Sequence, residues 1–132
     1  MNMKTKLIAL TIIMLTTLSV WAAYDVFDEV GSAIRSGDSK SISKYFGSTI
    51  DLTINSQEEV YSKAQAELIL KDFFSKNNPK TFTIIHKGDS KEGASYAIGS
   101  LVTSQGNNYR IYFYVKQQGG ATIIQELRLM KE

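Results

Sequence analysis

The chain has 132 residues, room for one domain, with a formal net charge of +2 and no cysteine. Without cysteine there is no disulfide framework, no thiol nucleophile and no lipid attachment through an amino-terminal cysteine. His86 is the single histidine, which leaves too few ligands for a histidine-based metal centre and too few partners for a nucleophilic triad.

Residues 1–6 carry Lys4 and Lys6 and no acid, and Leu7 to Val20 is an uncharged, largely apolar run. Val20-Trp21-Ala22-Ala23 follows, and acids begin at Asp25. A basic start, a short apolar core and small residues at its exit are the three parts of a secretory signal peptide. A spanning helix needs about 20 apolar residues, so a retained anchor fits this run less well. Cleavage is expected between Ala22 and Ala23, because Val20 and Ala22 then occupy the small-residue subsites. One bond later, bulky Trp21 would fill the first of them. The expectation is an exported protein, periplasmic or secreted, with a signal peptide over 1–22 and a single domain over 23–132.

Two of the 15 basic residues and none of the 13 acids lie in residues 1–22, so the remainder carries 13 of each. A neutral domain has no electrostatic footprint for a phosphate backbone or an anionic membrane. Nucleic acid is therefore not an expected partner, and no membrane span is expected after cleavage.

Asp25 is placed to cap a first helix, with Asp28 and Glu29 in its first turn. Val26, Phe27, Val30, Ala33 and Ile34 form its apolar stripe. Gly37 stops it, and Asp38 caps a second short helix carrying Ile42, Tyr45 and Phe46 until Gly47 ends it. Ile50 to Ile54 alternates and reads as a strand, and Glu59-Val60-Tyr61 is placed to pair back across the turn at Asn55-Ser56-Gln57. Ser62-Lys63-Ala64-Gln65 is a capping box for the clearest helix, whose stripe is Ala66, Ile69, Leu70, Phe73 and Phe74. Pro79 prevents its continuation. The period then changes to two over Thr81–Lys87, Tyr96–Ser104, Tyr109–Lys116 and Thr122–Met130. Loops this short join antiparallel neighbours, so these four strands form a meander. Helices ahead of an antiparallel sheet mean an α+β fold with the helices on one sheet face.

The order helix, helix, strand or hairpin, helix, then four strands resembles the nuclear transport factor 2-like (cystatin-like cone) superfamily. More closely, Val60-Tyr61-Ser62-Lys63-Ala64-Gln65-Ala66-Glu67 running into Lys71-Asp72-Phe73-Phe74 resembles a family of small exported bacterial proteins of unknown function. So do His86-Lys87-Gly88, Tyr96-Ala97-Ile98-Gly99, Tyr109-Arg110-Ile111-Tyr112-Phe113 and Ile124-Gln125-Glu126-Leu127-Arg128. The resemblance implies amino-terminal helices packed on a curved, cone-like antiparallel sheet. It implies no activity, because the superfamily holds isomerases, cyclases, dehydratases and binding modules alike.

No acidic cluster has metal-ligand spacing and no Gly-rich stretch opens a helix, so neither a metal nor another cofactor is expected. His86 continues the alternation Phe82-Ile84-His86 and is expected to be a partly buried, hydrogen-bonded strand-end residue. The constellation with most chemistry is on the last two strands. Arg110, Tyr112, Tyr114 and Lys116 share one face, and Glu126 and Arg128 share one face of the next strand. Ile123, Gln125, Leu127 and Leu129 are expected on its opposite face. A three-residue loop at Gln118-Gly119-Gly120 sets Tyr112 opposite Glu126, whereas a two-residue loop shifts the register by one. Such a face is either a solvated sheet surface or a binding surface, for which tyrosine and arginine are well suited. Arg110, Tyr112, Tyr114, Glu126 and Arg128 are accordingly the candidate binding residues of an envelope binding module. Its expected partner is a small molecule or an envelope protein, with a homodimer left open. The alternative function is a cofactor-free isomerase or dehydratase acting on a small hydrophobic molecule. That chemistry needs a carboxylate base and an acid in one apolar pocket, and Asp51, Glu126, Tyr45, Tyr61 and Tyr112 are its available parts.

Overall fold

The computed structural model describes residues 26–90 and 92–132. The expected signal segment, its cleavage bond and the cap expected at Asp25 lie outside the described residues. Among the described residues, no helix is long and apolar enough to cross a membrane.

Helix α1 (Val26–Ser36) buries Phe27, Val30, Ala33 and Ile34 on one stripe. It stops at Gly37, whose φ of 66° is left-handed, and the amides of Gly37 and Asp38 donate to the carbonyls of Ile34 and Ala33. Asp38 then caps α2 (Ser39–Ser43), accepting from the Ser41 amide at 3.1 Å and the Ser41 hydroxyl at 2.6 Å. Helix α2 ends earlier than its apolar spacing suggested, and Phe46 is already in β1 (Phe46–Ile54) rather than in the helix. The cause is tertiary: Phe46 sits opposite Ile124 of β6, and the Ile124 amide donates to the Tyr45 carbonyl at 2.7 Å.

Strand β2 (Gln57–Ser62) returns from β1 through a two-residue turn in which Asn55 has a φ of 56°. Helix α3 (Lys63–Lys76) opens on the expected capping box between Ser62 and Gln65. Leu70 is wholly buried and Phe73 nearly so, while Ile69 is half-buried against the same core. At the helix end, Asn77 donates to the Phe73 carbonyl and accepts from the Tyr109 hydroxyl, both at 3.0 Å, which ties α3 to the sheet.

Four strands follow: β3 (Pro79–Asp89), β4 (Ala94–Thr103), β5 (Asn108–Gln118) and β6 (Ala121–Lys131). Their ends fall within two residues of the expected ones, and they form the antiparallel meander. The whole sheet is ordered β2-β1-β6-β5-β4-β3, with β1 and β6 parallel. Helix α1 packs on β3, α3 on β1 and β2, and α2 bridges the other two helices. Phe27, Phe73, Phe74, Phe82, Phe113 and Leu127 fill the space between the helices and the inner sheet face.

Two irregularities overturn expected side-chain directions. A register shift at Ile85 breaks the alternation of β3, so Phe82 and Ile84 face inward while His86 turns to the outer face, exposed rather than partly buried. The β5–β6 turn has two residues, Gly119 and Gly120, both with positive φ as a type I′ turn demands. A bulge at Gln125 then adds one residue to β6, so Tyr114 faces Glu126 and Tyr112 faces Arg128. Gln125 and Ile123 therefore do not share the inward face of Leu127 and Leu129, and Ile124 is the buried residue instead.

Candidate functional site

The registers assemble the outer sheet face into rows running across the strands. One row is Gly88, Tyr96, Tyr114, Glu126, Asp51 and Val60, and the next is His86, Ile98, Tyr112, Arg128, Thr53 and Glu58. Arg110 belongs to a third row with Ser100 and Met130. All five candidate binding residues thus lie on one face, because the bulge at Gln125 preserves the parity that a two-residue turn alone would have lost.

The side chains of Tyr112, Glu126 and Arg128 form a connected layer. The Arg128 guanidinium is 5.3 Å from the Tyr112 ring centre and pairs with the Glu126 carboxylate. The Tyr112 and Tyr96 rings lie 5.9 Å apart, and the Tyr96 hydroxyl is 3.2 Å from His86 Nε2. Burial, and then the Glu126 charge, raises the Tyr112 phenol above its ordinary value. Arg110 stands apart from this layer, since its Nε donates to Glu132 at 2.9 Å. Tyr96 and His86 join the site without having been foreseen in it. Tyr96 was legible as a strand residue, but only the register places it beside Tyr112.

Asp51 and Glu126 are direct neighbours on the parallel strands β1 and β6. Arg128 compensates Glu126, whereas Asp51 Oδ1 is shielded from solvent without a hydrogen-bond donor, as is the hydroxyl of Thr53. The other parts considered for acid–base chemistry are scattered. Tyr45 donates to Glu29 on the helical side, and Tyr61 on β2 is tied to Glu59, whose hydrogen bond raises its phenol. Between α3 and the β1–β2 hairpin, the space lined by Leu52, Ile54, Gln57, Tyr61 and Ile69 is about 50 Å³, roughly the volume of one or two water molecules.

Two larger clefts open at the surface. One of about 510 Å³ lies along α1 and α2 and is lined by Glu29, Ser36, Asp38, Ser41 and Tyr45. Its Asp38 carboxyl is already occupied by the α2 cap, and the Ser41 bonds hold it below the usual carboxylate range. The second, of about 400 Å³, lies where β1 leaves β6 and includes Asp51 and Gln125. No group of three or more metal-ligating side chains occurs among the described residues.

The family model for the domain of unknown function DUF4783 matches residues 27–129. A DUF4783 family protein from Bacteroides ovatus is 30% identical, with a TM-score of 0.74 over 79% of this chain and 93% of that one. One from Bacteroides fragilis is 31% identical, with a TM-score of 0.73 over 79% and 96%. An NTF2-like protein of unknown function from Shewanella baltica is 12% identical, with a TM-score of 0.62 over 81% and 88%, a likeness of fold alone. No curated protein matches the chain.

Proposed function

The chain belongs to the DUF4783 family, whose function is unknown, and has the NTF2-like fold; from that premise we propose that it is an exported binding module of the cell envelope. Its partner, a protein before a small ligand, engages the outer face of β4, β5 and β6. The observation that supports this reading is the division of labour across the sheet. The inner face is closed over by packed phenylalanines and leucines, while the outer face presents Tyr96, Tyr112 and Tyr114 interleaved with Glu126 and Arg128. Tyrosine offers a large contact area at little entropic cost, and arginine offers paired hydrogen bonds and ring stacking. Lodging these types in adjacent rows concentrates the residues that dominate binding energy at interfaces.

The test is thermal unfolding together with capture of partners from the cell envelope, on Tyr112→Ala and Arg110→Ala. Both variants should stay folded, and Tyr112→Ala should lose a specific partner. An intact fold with an unchanged partner list contradicts the proposal, and so does unfolding of both variants, which would assign them to the core. Export is tested separately by amino-terminal sequencing of the envelope fraction, where the expected first residue is Ala23 and an intact Met1 would refute it.

A further inference from the structure

Helix α1 packs along β3, the strand at one end of the sheet, and the two elements do not close fully on each other. A cleft of about 250 Å³ lies between them, lined by Phe27, Asp28, Gly31, Arg35, Phe82 and Ile84, among others. Spacings of three and four residues put Asp28, Gly31 and Arg35 on one face of the helix. Asp28 marks one end of the cleft, Arg35 the other, and Gly31 the middle.

Gly31 lies inside α1 without a positive φ, in a setting where glycine weakens a helix relative to alanine. Packing does not call for it either. A methyl group there would meet only Ile84 Cδ1, at an ordinary contact distance of 3.7 Å. What the missing side chain does is keep the middle of the cleft open. At one end, Arg35 Nη2 donates to the Phe82 carbonyl at 3.0 Å, which holds the guanidinium against β3 and uses one of its five donors. Among the described residues neither Arg35 nor Asp28 forms an ion pair, and they do not pair with each other although they line the same cleft. Both charges suit the ends of a helix dipole, but the dipole requires neither a shared face nor a gap between them. The cleft thus offers an oriented cation, an unpaired carboxylate and, between them, the apolar walls of Phe27 and Ile84.

We propose that this cleft binds a free dipeptide or tripeptide, with the ligand carboxylate on Arg35, its ammonium at Asp28 and an apolar side chain over Gly31 against Phe27 and Ile84. Length selects that class. Two helical turns separate the Cα atoms of Asp28 and Arg35 by about 10 Å, and an extended peptide covers roughly 3.3–3.6 Å per residue. With the reach of the two side chains, two or three residues bridge the charges, whereas a single amino acid carries both on one carbon. The volume, equal to roughly eight water molecules, admits a ligand of that size. The cleft is separate from the outer sheet face, since none of the residues assigned there lines it.

Isothermal titration calorimetry of the purified protein provides the test, with Ala-Leu, Ala-Leu-Ala, the N-acetylated and C-amidated forms of each, and free leucine. Saturable binding is expected for the free peptides, at least tenfold weaker (about 1.4 kcal/mol) when either end is blocked, and weaker again for leucine. Arg35→Gln should erase the preference for a free carboxylate while keeping that for a free amine, and Asp28→Asn should do the reverse. Gly31→Ala does not remove a charge. It should stay folded with an equal or higher unfolding temperature, yet lose peptide binding as the methyl group fills the cleft. Absence of saturation with both free peptides, equal affinity for a blocked form, leucine bound as tightly as the peptides, an end preference that survives its own variant, or full affinity in Gly31→Ala would each overturn the assignment.

Discussion

On β5, Tyr109, Ile111, Phe113 and Val115 are buried, whereas the residues alternating with them, Arg110, Tyr112, Tyr114 and Lys116, are half-buried or exposed. The first set meets α1, α3 and the other inner strands. Phe113 lies 5.4 Å from Phe27, and Tyr109 lies 5.1 Å from Phe73 in an edge-on contact. The second set meets neighbours on the outer face, as in the ring contacts of Tyr112 with Tyr96 and Arg128 and the ion pair of Arg110 with Glu132. One strand therefore serves two masters. Its inner face is committed to holding the fold, and its outer face is free to vary in chemistry without loss of the core.

The largest expected effect breaks the inner half. Phe113→Ala should cost roughly 3–5 kcal/mol, because it deletes a wholly buried ring from a filled interior. That is a large part of the roughly 5–15 kcal/mol available to a small domain, and denaturant unfolding would measure it. A loss below about 1 kcal/mol would mean that the inner face tolerates cavities as an outer face does.

Two glycines sharpen the comparison at intermediate size. A methyl group at Gly99 would stand 2.2 Å from the Phe82 ring, which is buried against the helices. A methyl group at Gly88 would stand 2.5 Å from the far end of the Tyr96 side chain, which can swing towards solvent. Gly99→Ala should thus cost about 1–3 kcal/mol. Gly88→Ala should cost less, while separating Tyr96 from His86. Equal losses in thermal unfolding would erase the distinction between the two faces.

The smallest expected effect is electrostatic and belongs to the outer face alone. Burial, helped by Glu126, favours the neutral Tyr112 phenol in the folded protein. Its contribution to stability is therefore complete below the ordinary tyrosine value near 10 and is lost as pH rises through the higher folded-state value. The stability difference between the native chain and Tyr112→Phe should change only in that alkaline window. In an absorbance titration, Glu126→Gln should bring the Tyr112 ionisation part of the way back down, with burial as the main cause that remains. No movement in Glu126→Gln would show that the Glu126 charge does not contribute to the raised Tyr112 value.

The same contrast explains what the residues revealed in advance. Inner sets such as Phe27, Val30 and Ile34, or Leu70, Phe73 and Phe74, announce themselves by helical spacing, and the meander by its period of two and short turns. The five outer residues were recognisable as a group because parity along β5 and β6 sorts them. Their partners were not recognisable, since the register depends on a bulge at Gln125 that leaves the apolar pattern on either side intact. His86 was misdirected for the same reason: Phe82 and Ile84 set an alternation that the irregularity at Ile85 interrupts. The placement of Asp51 beside Glu126 required knowing that β1 lies parallel to β6, and no connection length carries that information. Phe46 likewise has helical spacing with Ile42, and only its pairing with Ile124 takes it into the sheet.

The most direct test of the central claim is photo-crosslinking in the producing cell, with a benzophenone side chain placed at Tyr114 in one variant and at Leu68 in another. Leu68 is an apolar residue of α3, 66% exposed, on the opposite layer of the molecule. The proposed binding role of the outer sheet face requires a discrete higher-mass adduct from position 114 and none from position 68, with both variants folded. An adduct from position 68 alone would contradict it and move the interaction surface to the helices.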